Sequence, residues 1–348
     1  MTALDSLLAS TLADPLAISR KVAAPIGYVG FDLPLELLLC GTRHFSHLPW
    51  RTGQQTAKAD HWLESSFAPW ARSILQDWFE GAFDHFDSVV FTRGDDSAQR
   101  LYYYICELQR RGQLAGPQAL ILDISLIPRA SSIVNNRRTL ATLLDHLDIN
   151  VDALENGRQR ANEHRSRFAH IDQERTGPGH RYERIARASL FTDLMPVLST
   201  LTTADAPSRK VLLAGSSPAD DRFHLAIEAA GWNVTGDSYH RALRRFGKAI
   251  TTEGNPLDAI AHHMNDAPLG PRTFGDRSAA LLEDYRRARA STVILWLAEE
   301  DESLAWTVAR QRQTLNDHGI PSLVLTRRRW DGNDDAADAM QHFLREHS

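Results

Sequence analysis

The sequence predicts an α/β protein of two doubly wound, parallel-sheet domains joined by a helical region. Three observations carry this. Short apolar runs alternate with helical periods, a rhythm that implies parallel strands with helices covering both faces. The rhythm stops in the middle of the chain and restarts after Pro207. And 348 residues exceed what one core usually organises, since single cores stop growing at ~250 to 300 residues.

Taken in order, residues 1–20 alternate Leu and Ala with Asp5, Ser6, Ser10 and Asp14 and read as a short amphipathic helix. They lack the basic start and apolar run of a secretion signal. Residues 21–130 form the first α/β unit. Ile26 to Phe31 is an apolar strand, and Leu33 to Leu39 a helix with Pro34 near its first turn, where proline's missing N–H costs nothing. Ser88 to Phe91 is a second strand, Thr92 to Asp96 its loop, Ser97 to Arg110 a helix and Ala119 to Asp123 a third apolar run.

Residues 131–205 read as helical, with a break at Thr176-Gly177-Pro178-Gly179, and Ala204 to Ser208 is the candidate linker. Residues 206–348 restart the alternation. Strands are expected at Lys210 to Ala214, Asn233 to Gly236, Ser291 to Leu297 and Pro321 to Leu325, and helices at Asp221 to Ala230, Ser303 to His318 and Ala336 to Glu346. Each unit is thus expected to be flavodoxin-like or Rossmann-like, with ligands beyond the carboxyl ends of its strands.

Composition narrows the functions. Hydrophobic residues are 43% and charged residues 24% of the chain, as in ordinary globular proteins. A net charge of −5 gives no general pull towards phosphate backbones or anionic membranes, so nucleic acid is not expected as a partner. Apolar runs such as Val293 to Ala298 fall short of the ~20 residues of a membrane span, and a cytoplasmic location is expected. The two cysteines, Cys40 and Cys106, provide neither a disulfide framework nor the four thiolates of an ordinary iron–sulfur site.

Four loops hold candidate chemistry. Gly215-Ser216-Ser217-Pro218 follows a strand and precedes a helix. It is either a phosphate cradle or a tight βα turn, and it has neither a dinucleotide glycine spacing nor a P-loop lysine. Thr92-Arg93-Gly94-Asp95-Asp96 places carboxylates at a strand end, where Asp95 serves acid–base chemistry if buried or caps the following helix. Arg43-His44-Phe45-Ser46-His47 is a poor helical metal pair. His44 is a structural histidine or a proton-transfer partner of Glu36. The arginines from Arg158 to Arg184 either bind phosphates or, interleaved with Glu163, Asp172 and Glu174, form a solvated helical face, and the second reading is the expectation.

Read as a series, these pieces resemble the 2-hydroxyacyl-CoA dehydratase and benzoyl-CoA reductase family, in its 2-hydroxyglutaryl-CoA dehydratase D-component type. Gly27-Tyr28-Val29-Gly30-Phe31-Asp32-Leu33-Pro34-Leu35-Glu36-Leu37 is similar to its opening strand and Pro-x-Glu-Leu helix. Val89 to Arg100 is similar to its second strand and a turn that normally reads Cys-Asp, and Val211 to Pro218 to its Gly-Ser-Pro loop. Ala229 to Asp237 and His318 to Leu325 resemble later strands.

The resemblance implies a [4Fe–4S] cluster held by three cysteines of the subunit. Those positions fall near Ala68, at Gly94 and near Asp301, none of them cysteine. No metal or cofactor bound by this chain is therefore expected, while a partner subunit is a candidate holder of a [4Fe–4S] cluster. The expected role is a diverged family subunit, in a homo- or heterodimer with a related chain, that binds an acyl-CoA or related carboxylate. Glu36, Asp95 and His44 are the catalytic candidates, and Arg72, Arg93, Gly215, Ser216 and Ser217 the substrate-binding candidates. A structural or regulatory subunit and a metal-independent acid–base enzyme are the alternatives. An inter-domain pocket that keeps inward polar residues separates ligand binding from the purely structural role.

Overall fold

A computed structural model describes residues 2–265 and 274–347. Its centre is two four-stranded, wholly parallel sheets. The first contains β1 (Ile26–Val29), β2 (Phe45–His47), β3 (Ser88–Thr92) and β4 (Gln118–Leu122) in the order β2-β1-β3-β4. The second contains β5 (Arg209–Gly215), β6 (Trp232–Ser238), β7 (Thr292–Ala298) and β8 (Ser322–Arg328) in the order β6-β5-β7-β8. Every residue of β3 and β7 is buried. Unbroken apolar runs suit central parallel strands, which have helices against both faces.

The helices are α1 (Ala3–Ala13), α2 (Leu35–Leu38), α3 (Ala57–Asp60), α4 (Pro69–Phe79), α5 (Asp96–Arg110), α6 (Ala130–His146), α7 (Ala153–Gln173), α8 (Gly179–Ala188), α9 (Arg222–Ala229), α10 (Pro256–Asn265), α11 (Arg277–Ala288), α12 (Glu302–Asp317) and α13 (Ala336–Glu346). One face of the first sheet packs on α4 and α5 through Ile74, Trp78, Phe91, Leu101 and Ile105. Its other face buries Tyr28, Val90 and Leu122 against Leu140, Leu144, Leu154 and Ile260. α10 thus packs on α6, beside the first sheet, although it follows β6 in the chain. In the second sheet, Leu213, Ile294 and Trp296 meet α9 and α13 through Phe223, Ile227 and Met340, while Leu212 and Leu295 meet Leu281 of α11 and Leu315 of α12.

Several elements escaped the sequence reading: β2, the α3–α4 pair, α10 and α11. The expected helix over Leu33 to Leu39 is confined to Leu35–Leu38, with Pro34 at its N-cap. The larger correction concerns the arginines of α7. The sequence suggested a solvated face, yet Arg158 and Arg165 are buried. Arg158 donates to the carbonyls of Thr251 and Thr252, and Arg165 to the Glu36 carboxylate and the Phe246 carbonyl. Arg175, just beyond the helix, is enclosed between Asp172 and Asp237. Counting alternate charges misses this, because the partners that draw these arginines inward include groups on other elements: the Thr251 and Thr252 carbonyls for Arg158, Glu36 for Arg165 and Asp237 for Arg175. Among the described residues no helix is long and apolar enough to cross a membrane.

Candidate functional site

The carboxyl ends of both sets of strands open on one cavity of about 880 Å³, counting its mouth. Phe31 follows β1, Asp95 follows β3, Ser217 follows β5, His240 follows β6 and Asp301 follows β7, and all five line it. This is where parallel α/β sheets leave loops free to carry function.

The loop after β5 is shaped by Gly215, whose φ is +109°; a Cβ there would lie 2.1 Å from the Trp296 carbonyl oxygen. Only glycine meets both conditions. Ser216 is buried, and its hydroxyl accepts from the Ala298 amide at 2.9 Å, tying β5 to β7. Ser217 faces the cavity, with its hydroxyl accepting from the Arg241 amide at 3.1 Å. Arg241 is itself buried and paired with Glu183 at 2.8 Å.

Asp95 is the N-cap of α5 and accepts from the Ala98 amide at 3.0 Å. It also titrates abnormally: burial, and then the nearby Asp301 carboxyl, push its pKa up to about 6. The helix cap is therefore a carboxyl of raised pKa. Burial raises the pKa of Asp301 too, opposed by a hydrogen bond from Ser216. Opposite them, His240 Nε2 lies 3.0 Å from Asp32 Oδ1, and the second Asp32 oxygen accepts from Thr92 Oγ1 at 3.4 Å. Phe31 stands edge-on to the His240 ring. Trp50 and Trp330, 6.2 Å apart, add an apolar wall. The cavity therefore has an acidic pole and an aromatic wall.

The other candidates are dispersed. Glu36 is fully buried, with Arg165 Nη1 2.5 Å from its Oε1, and it lines a neighbouring cavity. His44 is half-buried and lines a third pocket with His164 and Asp193; burial lowers its pKa. Arg72 is held by Asp60 and the Glu64 carbonyl, and Arg93 points outward to Asp123 at 2.7 Å. The sequence reading missed Asp32, His240 and the acidic role of Asp301. Their one available signal was position, since each stands just beyond a strand.

Ala68 and Asp301 line the cavity, and Gly94 is buried next to Asp32. Two of the three positions that the resemblance links to a cluster thus line the cavity and the third, Gly94, directly precedes its Asp95, but their side chains do not fit an all-thiolate [4Fe–4S] centre. Cys40 belongs to the core beneath α2 and Cys106 sits on α5. Among the described residues no group of three or more His, Cys, Asp or Glu could hold a metal ion.

Comparison with curated proteins gives no match. The family model for the 2-hydroxyglutaryl-CoA dehydratase D-component, by contrast, matches residues 34–342, from the loop after β1 into α13. It takes in seven of the eight strands and the acids of the cavity, Asp95 and Asp301. The match spans most of the chain, which therefore belongs to the 2-hydroxyglutaryl-CoA dehydratase D-component family.

Proposed function

We propose that this family member binds an acyl thioester or a related carboxylate in the cavity between its sheets, in a dimer with a related subunit and without a [4Fe–4S] cluster of its own. The carrying observation is the pair Asp95 and Asp301, two carboxyls of raised pKa at the pole where two of the family's three cluster positions line the cavity. A cavity kept open and lined by inward polar groups supports ligand binding over a purely structural role. Membership of the family by itself supports no particular reaction.

In this reading the acyl group lies against Phe31, Trp50 and Trp330. The Ser217 hydroxyl, on the same wall, donates to the ligand's carbonyl or carboxylate oxygen. Asp95 exchanges protons near neutral pH, as a group titrating near the working pH does best. Ionising one acid of the pair favours keeping the proton on the other. Asp32 fixes the orientation of the His240 ring beside the ligand. Glu36 is committed to Arg165, which supports a structural task for it ahead of proton transfer.

The test combines two measurements on the purified chain, alone and with any subunit that co-purifies. Iron and sulfide are assayed after anaerobic reconstitution, and thermal unfolding is followed with and without a CoA thioester. The proposal expects no stoichiometric iron in this chain, together with a thioester-dependent rise in Tm that Asp301→Leu abolishes. About four irons per chain, or a Tm indifferent to the thioester, would overturn it.

A further inference from the structure

The neighbouring cavity, which shares Phe31 and His240 with the first, has its own chemistry. Two histidines, His240 and His263, two arginines, Arg165 and Arg245, and two acids, Asp32 and Glu36, line it. Asp32 is paired with His240 at 3.0 Å and Glu36 with Arg165 at 2.5 Å. Arg245 is left over. Its guanidinium donates to the Arg241 carbonyl at 3.0 Å and to Ser189 Oγ at 2.7 Å, and it lies 4.2 Å from the Phe246 ring centroid. Among the described residues no carboxylate neutralises it.

Burial lowers the pKa of Arg245 to about 10, and the neighbouring Arg241 adds to the effect. A half-buried arginine without an acid is costly to the extent that it is desolvated, and a planar guanidinium with two of its five N–H groups engaged still has donors for a carboxylate. Around it the walls are apolar: Leu33, Leu38, Ile124, Leu126 and Leu190.

We propose that this cavity is a second ligand site, which takes a small organic carboxylate with its head on Arg245 and its apolar body against Leu33, Leu38, Ile124 and Leu126. The site is separate from the acidic pole of Asp95 and Asp301, and it does not depend on the thioester reading.

Calorimetric titration of the full chain with hexanoate, in the absence of CoA thioesters, tests it. Hexanoate is expected to bind the parent and Asp95→Asn alike. Binding should weaken by about 30-fold or more in Arg245→Met, as expected when one partner of an enclosed charge pair is removed. Leu126→Trp, at a half-buried position on the wall, should block binding by filling the cavity and keeps the test valid if Arg245→Met does not fold. Inorganic phosphate is the second titrant, and weak or absent binding is expected because it has no apolar body. The proposal fails if hexanoate does not bind the parent, if it binds the Arg245 and Leu126 variants as tightly as the parent, or if phosphate binds as tightly as hexanoate.

Discussion

The Asp32 carboxylate occupies the space that a side chain at position 94 would need: a Cβ built on Gly94 would lie 1.6 Å from Asp32 Oδ2. Backbone strain is not involved, since Gly94 does not adopt a positive φ. The constraint is one of volume, and Asp32 is held in that volume by His240 and Thr92.

Gly94→Ala should therefore displace Asp32 and break its contact with His240. The expected cost is about 1 to 3 kcal/mol, read from urea unfolding. Gly94→Ala combined with Asp32→Ala should recover part of that loss, because it removes the clashing carboxylate. Equal stability of Gly94→Ala and the parent would show that Asp32 has somewhere else to go.

Asp95 gives a pH signature of definite sign. Its folded pKa is raised from 3.8 to about 6, so between these values the native state binds more protons than the unfolded state. Stability then falls as pH rises through that window and levels off above it. Asp95→Asn removes the ionisation and keeps a good N-cap residue. The variant should gain on the parent as pH rises from 4 to 7, by at most about 3 kcal/mol and by less where cavity solvent screens the charge. Denaturation midpoints across that range decide it, and parallel curves would refute the assignment.

His47 has the opposite sign. Its Nε2 accepts from the Gly30 amide, so Nδ1 carries the proton that bonds the Leu48 carbonyl at 2.7 Å. Burial lowers its pKa from 6.5 to about 3. The stability contributed by neutral His47 is complete above pH 6.5 and is lost as pH falls towards 3. His47→Gln should be less stable at pH 7 yet show a shallower decline on acidification, measurable by unfolding at pH 7, 6, 5 and 4.

Glu36 and Arg165 form a buried pair across 129 residues of chain. Glu36→Gln leaves the arginine charge enclosed and should cost about 3 to 5 kcal/mol, whereas replacing both by Gln and Met should cost less than either single change. Thioester binding measured on whatever fraction folds should be preserved. A folded Glu36→Gln with parental stability and no ligand response would return Glu36 to the proton-handling role.

The alternation of strand and helix was legible because β1, β3, β5 and β7 each hold a short apolar run, as in Val89-Val90-Phe91 and Val211-Leu212-Leu213-Ala214. β2 was not, since its three residues include Ser46 and His47, both buried, and three residues are too few to show a period. The α7 arginines misled for a different reason: what draws them inward lies far off in the chain, the Glu36 carboxylate for Arg165 and the Thr251 and Thr252 carbonyls for Arg158. The capping of α5 by Asp95 was legible from its place between a strand and a helix. The His240 to Asp32 contact spans 208 positions, and no local pattern records it.

The matching strand orders β2-β1-β3-β4 and β6-β5-β7-β8 relate the two halves of the chain by an approximate internal symmetry. Under it β3 corresponds to β7, so Asp95, the N-cap of α5, has as its counterpart Asp301, the N-cap of α12. Asp95 and the Asp301 carboxyl that raises its pKa occupy equivalent places in a repeated unit. Each half contributes one carboxyl to a junction that neither half could form alone.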